Sequence, residues 1–215
     1  MRKCIGSLLL LFSCLAYATA ARAGILYKNG PVNGICDIES CQGDAWLINF
    51  SNSITNSFSV AGNSTITGID FAVWMTPGDT LASVDWSIGA SSFGSNLGSG
   101  IASGANLSQT LLFVNRWGYD INLVSISSLN IDVTSGNTYW VTLDNAMVPN
   151  GDPVYWDENN GPSQVYQTNE GSIPSESFNI VGSSGSTPEP SSIFLFGSGI
   201  VGVADVLRRK LWKSD

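Results

Sequence analysis

The chain has 215 residues, with nine Lys and Arg, seventeen Asp and Glu and no histidine, so its formal net charge is −8. Without histidine, its own residues cannot form a Ser-His-Asp or Cys-His catalytic group. The stretch from Gly24 to Ser186 contains two basic and fourteen acidic residues, a net charge of about −12, which excludes binding to nucleic-acid phosphates.

Residues 1–23 have the pattern of a secretory signal peptide. Arg and Lys at positions 2–3 form a positive start, residues 5–16 are mostly apolar, and residues 21–23 (A-R-A) fit the A-x-A cleavage pattern. We therefore predict cleavage after residue 23, with residues 18–20 (A-T-A) as the alternative site. An uncleaved anchor is less favoured, because the apolar stretch is shorter than the ~20 residues that a membrane span needs.

Two cysteines, Cys36 and Cys41, remain after cleavage at this site. In an exported protein, a C-x4-C pair is predicted to form a small disulfide, worth roughly 2 kcal/mol if it is unstrained. A zinc site is disfavoured, because the chain has no histidine and no second cysteine pair.

Residues 24–181 are predicted to form a single all-β domain, a two-sheet β-sandwich that is jelly-roll-like. Short segments rich in β-branched and aromatic residues are separated by Gly, Pro and Asn turn signals. The predicted strands are Ala45–Phe50, Ser57–Val60, Thr65–Ile69, Asp70–Met75, Val84–Ile88, Gln109–Asn115, Asp120–Ser127, Leu129–Val133, Thr138–Leu143, Val154–Trp156 and Ser177–Val181. Residues 89–104 are predicted to be a flexible loop or a glycine-broken edge strand, and residues 182–187 a linker.

The densest group of polar side chains lies around a Tyr-Trp segment within residues 150–160. Asp152, Asp157, Glu158 and Asn159 offer oxygen ligands of the kind that Ca²⁺ prefers, and an exposed Trp156 would stack on a sugar ring. A calcium-assisted carbohydrate site is therefore one hypothesis for this segment, and no other cofactor is predicted. The alternative is that Trp156 packs in the core and the acids are solvated loop residues.

A carboxylate pair is the catalytic chemistry that remains open to this chain. Glycoside hydrolysis needs two acids about 5–9.5 Å apart. Asp157 and Glu158 are adjacent and would point to opposite faces of a strand. The pairs Asp152–Asp157 and Asp85–Asp144 would converge only through a fold that the sequence does not reveal. We therefore predict a non-enzymatic protein.

Residues 188–215 contain the three parts of a membrane sorting tail. Pro188-Glu189-Pro190 keeps the backbone extended. The apolar run Ser191–Leu207 would form a transmembrane helix of about 26 Å, close to the ~30 Å hydrocarbon core of a bilayer. The basic cluster Arg208-Arg209-Lys210 follows directly and marks the cytoplasmic end.

The tail, together with the signal peptide, resembles the PEP-CTERM sorting signal of Gram-negative bacteria. The resemblance implies recognition by an exosortase, cleavage near Pro188-Glu189-Pro190, and transient anchoring in the inner membrane. It further implies release to, or attachment at, the cell exterior of bacteria that make extracellular polysaccharide. Thr187 and Asp205 depart from the usual pattern, since valine commonly precedes the motif and the run is usually uncharged. An unprocessed membrane anchor is the alternative.

The sequence thus predicts an exported, non-enzymatic protein of the envelope or extracellular matrix. Its expected partners are the export machinery, an exosortase, the inner membrane during transit and extracellular polysaccharide. The alternative function is a calcium-assisted carbohydrate-binding module, and a carboxylate-based glycoside hydrolase is less favoured.

Overall fold

The computed structural model describes residues 23–34 and 45–185, which form two antiparallel β-sheets and contain no α-helix. The strands are β1 Gly24–Lys28, β2 Ala45–Leu47, β3 Ser53–Phe58, β4 Ser64–Met75, β5 Ser83–Gly89, β6 Gly98–Ser103, β7 Leu107–Val114, β8 Asp120–Ile126, β9 Ile131–Val133, β10 Tyr139–Met147, β11 Tyr155–Asn159, β12 Val165–Gln167, β13 Gly171–Ile173, β14 Ser175–Glu176 and β15 Phe178–Ser184. We call the nine-stranded sheet the large sheet and the six-stranded sheet the small sheet.

The long strand β4 organises the large sheet. One of its edges pairs with β15 and, further along, with β11, while the other edge pairs with β9 and then β8. Strand β11 stays beside β4 for two residues, Tyr155 and Trp156, and then pairs with β14. Strand β2 covers the opposite edge of β11. Strand β11 is therefore enclosed on both edges.

The small sheet has the order β13-β12-β3-β10-β5-β6, with β10 at its centre. Side chains of β10 alternate between the core and the outer face, as expected for an antiparallel strand with one buried face. Tyr139, Val141 and Leu143 belong to the core, whereas Trp140 and Asp144 are half-buried on the outer face. Residues of both sheets form one hydrophobic core, so the two sheets pack face to face as a sandwich.

The predicted all-β, two-sheet sandwich is confirmed, and its strands differ in detail from the prediction. Nine and six strands exceed the eight of a simple jelly roll, so jelly-roll topology stays a prediction. Thr65–Ile69 and Asp70–Met75 form one strand, β4, because no turn residue separates them. Within residues 89–104, β6 is an edge strand, the second of the two predicted alternatives.

The last strand extends into the predicted linker. Residues 182–184 pair with β4 opposite Ile66, Thr65 and Ser64, so the linker prediction is wrong for these three residues. Small residues without proline can continue a ladder, which is the physical reason for the extension.

Several predictions fall on residues that the structure does not describe. These are the signal peptide, the disulfide between Cys36 and Cys41, and the sorting tail from residue 186 onward. In the described part of the chain, no helix has the length and apolar character that a membrane crossing requires.

Candidate functional site

The tryptophan of the predicted ligand segment is a core residue. Trp156 is fully buried, and its ring makes edge contacts with Phe71 and Phe178, each with centroids 6.0 Å apart. Its indole N–H donates to the carbonyl oxygen of Ser177 at 2.9 Å. Trp156 therefore follows the alternative of core packing, and it presents no face to a sugar ring.

Asp157 lies on the opposite face of β11, where it is also buried. The Trp74 indole N–H donates to its Oδ1 at 2.6 Å, and the Asn33 backbone N–H donates to its Oδ2 at 2.7 Å. Burial raises the pKa of Asp157 to about 6, although these hydrogen bonds and one from the Gly34 backbone oppose the rise. This carboxyl group holds the segment around residue 33 against the sheet.

Glu158 faces a second buried acid, Glu176, directly across the β11–β14 pair. The Trp46 indole N–H donates to Oε2 of Glu158 at 2.9 Å. Glu176 is fully buried, and neither of its carboxyl oxygens has a hydrogen-bond partner among the described residues. Burial, followed by the charges of Glu158 and Asp157, raises the pKa of Glu176 well above its usual value.

Asn159 and Asp152, the outer residues of the predicted ligand set, belong to separate hydrogen-bond groups. The Asn159 side-chain amide donates to the carbonyl oxygens of Asn29 and Pro31. Asp152 lies in the loop before β11, and its Oδ2 accepts from the Asn150 amide at 3.1 Å. Among residues 23–34 and 45–185, no group of three or more acidic or cysteine side chains is arranged to hold a metal ion. The calcium site therefore stays a prediction without a geometric basis.

The structure does bring together another pair that the sequence left open, Asp85 and Asp144. Asp85 on β5 lies directly opposite Asp144 on β10, on the outer face of the small sheet. The Asn145 amide donates to Oδ2 of Asp85 at 2.9 Å, and the Ser53 hydroxyl donates to Oδ2 of Asp144 at 2.9 Å. Burial raises the pKa of Asp144, and the charge of Asp85 adds to the rise.

These two aspartates line a surface cleft of about 520 Å³, which we call the outer cleft. Its lining also includes six serine and threonine residues, Phe93 and Ile101. Phe93 belongs to the loop between β5 and β6, and its backbone N–H donates to Oγ1 of Thr55 at 3.3 Å. The Thr142 hydroxyl donates to the same oxygen at 3.0 Å. The loop is thus fastened to buried threonines of the sheet.

Sequence reasoning missed the outer cleft because its residues are far apart in the chain. Asp85 and Asp144 each occupy a polar position in a strand that alternates polar and apolar residues. This alternation was the one sequence pattern that pointed to an outward-facing position for both side chains. Which polar residues face each other depends on the register of β5 against β10, and a shift of one residue would turn either side chain to the other face.

Comparison with known proteins bears on the tail rather than on the sandwich. A family model described as the PEP-CTERM protein-sorting motif matches residues 186–210. The chain carries a PEP-CTERM sorting motif. The matched range includes all residues predicted for sorting, which are Pro188, Glu189, Pro190, Arg208, Arg209 and Lys210. A search of curated proteins finds no match to the chain.

The PEP-CTERM motif has a direct functional consequence. It supports sorting by an exosortase, and therefore an exported protein that is processed at a membrane. The match confirms the resemblance drawn from the three-part tail. It covers residues 186–210 and therefore leaves the role of the β-sandwich to be inferred from its own geometry.

Proposed function

We propose that this protein is a non-enzymatic component of the envelope or extracellular matrix, delivered by the PEP-CTERM pathway and associated with extracellular polysaccharide. The observation that carries the proposal is the match of the sorting motif to residues 186–210. An exosortase would cut the tail near Pro188-Glu189-Pro190 after the signal peptide has been removed. The sandwich would then be released to, or attached at, the cell exterior, and it would require no cofactor.

The first and last strands of the sandwich fit the removal of both predicted segments. Strand β1 begins at Gly24, directly after the predicted cleavage site, and Gly24 pairs with Gly182 of β15. The start of β1 and the end of β15 therefore lie side by side at one edge of the large sheet. Removal of residues 1–23 and of the tail beyond Ser184 would therefore leave every described strand intact.

Replacement of the motif's acid tests the proposal in cells. Glu189→Ala should leave a chain that keeps its C-terminal tail in the membrane fraction, because the exosortase would no longer recognise the tail. Glu170→Ala, which removes an exposed acid from the turn before β13, is the matched control and should be processed normally. Export and processing of the Glu189→Ala protein at the wild-type level would contradict exosortase recognition.

The pair Asp85–Asp144 favours a second candidate function, a carboxylate-based glycoside hydrolase. Asp85 and Asp144 are directly opposite each other on β5 and β10 and line one cleft, and glycoside hydrolysis uses two carboxyl groups about 5–9.5 Å apart. Burial raises the pKa of Asp144, which suits a general acid.

Release of reducing ends from glucose or glucosamine oligomers would support the hydrolase, provided that Asp144→Asn abolishes it. Asp132→Asn, at an exposed position of β9, should leave such turnover unchanged. The absence of turnover on both oligomers would leave the non-enzymatic function in place.

A further inference from the structure

We propose that the outer cleft is a saccharide-binding site for sugars that are uncharged or carry amino groups. The proposal deepens the proposed function and rests on it for the polysaccharide-rich setting of the protein. It assigns the ligand contact to the outer face of the small sheet, away from the predicted segment around Trp156.

The chemistry of the lining points to a polyhydroxylated ligand. Ligand sites of about 300–1,000 Å³ are usually lined by apolar side chains. The outer cleft, at about 520 Å³, presents six hydroxyl groups and two carboxylates beside its large apolar side chains, which are Trp86, Phe93 and Ile101. Hydroxyls and carboxylates accept hydrogen bonds from sugar hydroxyls, and an aromatic ring packs against the C–H face of a sugar.

The carboxylates have acceptor capacity left for a ligand. Asp85 and Asp144 each use Oδ2 for one neighbouring donor. Their Oδ1 atoms have no hydrogen-bond partner among the described residues, and a carboxylate can accept several bonds. Hydrogen bonds from a ligand to these charged groups would be of the stronger, charge-assisted kind.

The apolar side of the cleft is held in place before any ligand binds. Phe93 has a positive φ of 57°, which is uncommon for a residue that is not glycine. Its N–H is bound to Thr55, whose hydroxyl also accepts from Thr142, and both threonines are buried. Phe93 nevertheless remains 39% exposed. A strained residue fastened to the sheet with an exposed ring is pre-organised for contact.

The negative charge of the cleft and of the surrounding protein favours neutral or amino sugars over acidic sugars. Like charges directly opposite in a sheet destabilise it, so the Asp85–Asp144 pair costs folding free energy that a bound donor group would offset. The stretch from Gly24 to Ser186 also carries about −12, with Lys28 and Arg116 as its basic residues. A uronate-rich glycan would be repelled. A hydroxyl or an ammonium group placed between the aspartates would be favoured.

Titration calorimetry with three oligosaccharides tests the site on the protein as cells deliver it. Glucosamine oligomers should bind most tightly, glucose oligomers should bind more weakly, and galacturonate oligomers should not bind. Failure of both glucosamine and glucose oligomers to bind would overturn the proposal. Galacturonate binding as tight as glucosamine binding would also overturn it.

Variants separate a binding role from a structural one. Asp144→Asn should weaken glucosamine binding about tenfold or more while it raises the melting temperature, because the substitution removes a charge-assisted bond and a repulsion together. Asp132→Asn is the matched control and should leave binding unchanged. Loss of binding accompanied by loss of stability, or unchanged binding, would contradict a ligand contact at Asp144.

Truncation of the aromatic ring provides an independent check. Phe93→Ala should weaken binding several-fold, whereas Leu111→Ala, at an exposed apolar position of β7 outside the cleft, should not. Equal affinities for both variants would remove Phe93 from the site. These measurements do not depend on the C-terminus, so failure of saccharide binding and failure of exosortase processing are distinguishable.

Discussion

Asp157 and Glu176 place two acidic side chains in the interior of a protein whose net charge is already strongly negative. Both have pKa values raised by burial, and for Asp157 the rise is from 3.8 to about 6. The folded state therefore binds more protons than the unfolded state between these values. Stability from this source is fully present below about pH 4 and is lost as the pH rises through about 6.

The free energy of unfolding should consequently be greater near pH 5 than near pH 8. Asp157 alone accounts for up to about 3 kcal/mol of loss between full protonation and full ionisation, and Glu176 extends the loss to higher pH. Urea denaturation across this range measures the effect. Glu176→Gln should be more stable than the wild type at pH 8 and similar to it at pH 4. An unchanged pH slope in this variant would contradict a buried, ionisable Glu176.

Burial also changes how a Trp156 variant is to be interpreted. Because the ring is fully buried between Phe71 and Phe178, its truncation to alanine would cost about 3–5 kcal/mol of stability. A loss of sugar binding in such a variant would report unfolding rather than a lost contact. Asp144 and Phe93 are the informative positions for binding.

At the scale of elements, close approach between strands depends on glycine. A Cβ atom at Gly68, within β4, would lie 2.7 Å from the carbonyl oxygen of Ile126 on β8. Gly68→Ala should therefore force a backbone shift and cost about 1–3 kcal/mol. Gly62→Ala is the matched control, because nothing lies within 4 Å of its Cβ position. Chemical denaturation of both variants measures the difference, and equal stabilities would contradict the β4–β8 packing.

The sequence was sufficient to predict the fold class but not the arrangement of the acidic side chains. Alternation in β8 and β10, and the turn signals between strands, were sufficient for an all-β sandwich, because they depend on neighbours in sequence. The burial of Asp157 could not be predicted, since it follows from the enclosure of β11 by β2, β4 and β14. The pairing of Asp85 with Asp144 likewise follows from strand register rather than from local pattern.

At the scale of the whole molecule, the acidic composition could attract divalent cations, and a bound cation would stabilise the fold. Three of the four predicted calcium ligands, Asp157, Glu158 and Asn159, are buried and hydrogen-bonded to the protein itself. We therefore expect chelation with EDTA to leave the melting temperature of the exported protein unchanged. A clear fall in melting temperature after chelation, reversed by added calcium, would show that a metal ion stabilises the fold.

Sorting is the central claim for the whole molecule, because it fixes where the sandwich acts. The motif at residues 186–210 lies beyond the last strand, which ends at Ser184, so cleavage there would leave every described strand intact. Mass spectrometry of the exported protein measures where both of its ends have been cut. We expect an N-terminus at Gly24, a C-terminus near Pro188–Pro190 and no peptide from residues 191–215. A C-terminus at Asp215 on the exported protein would contradict this claim.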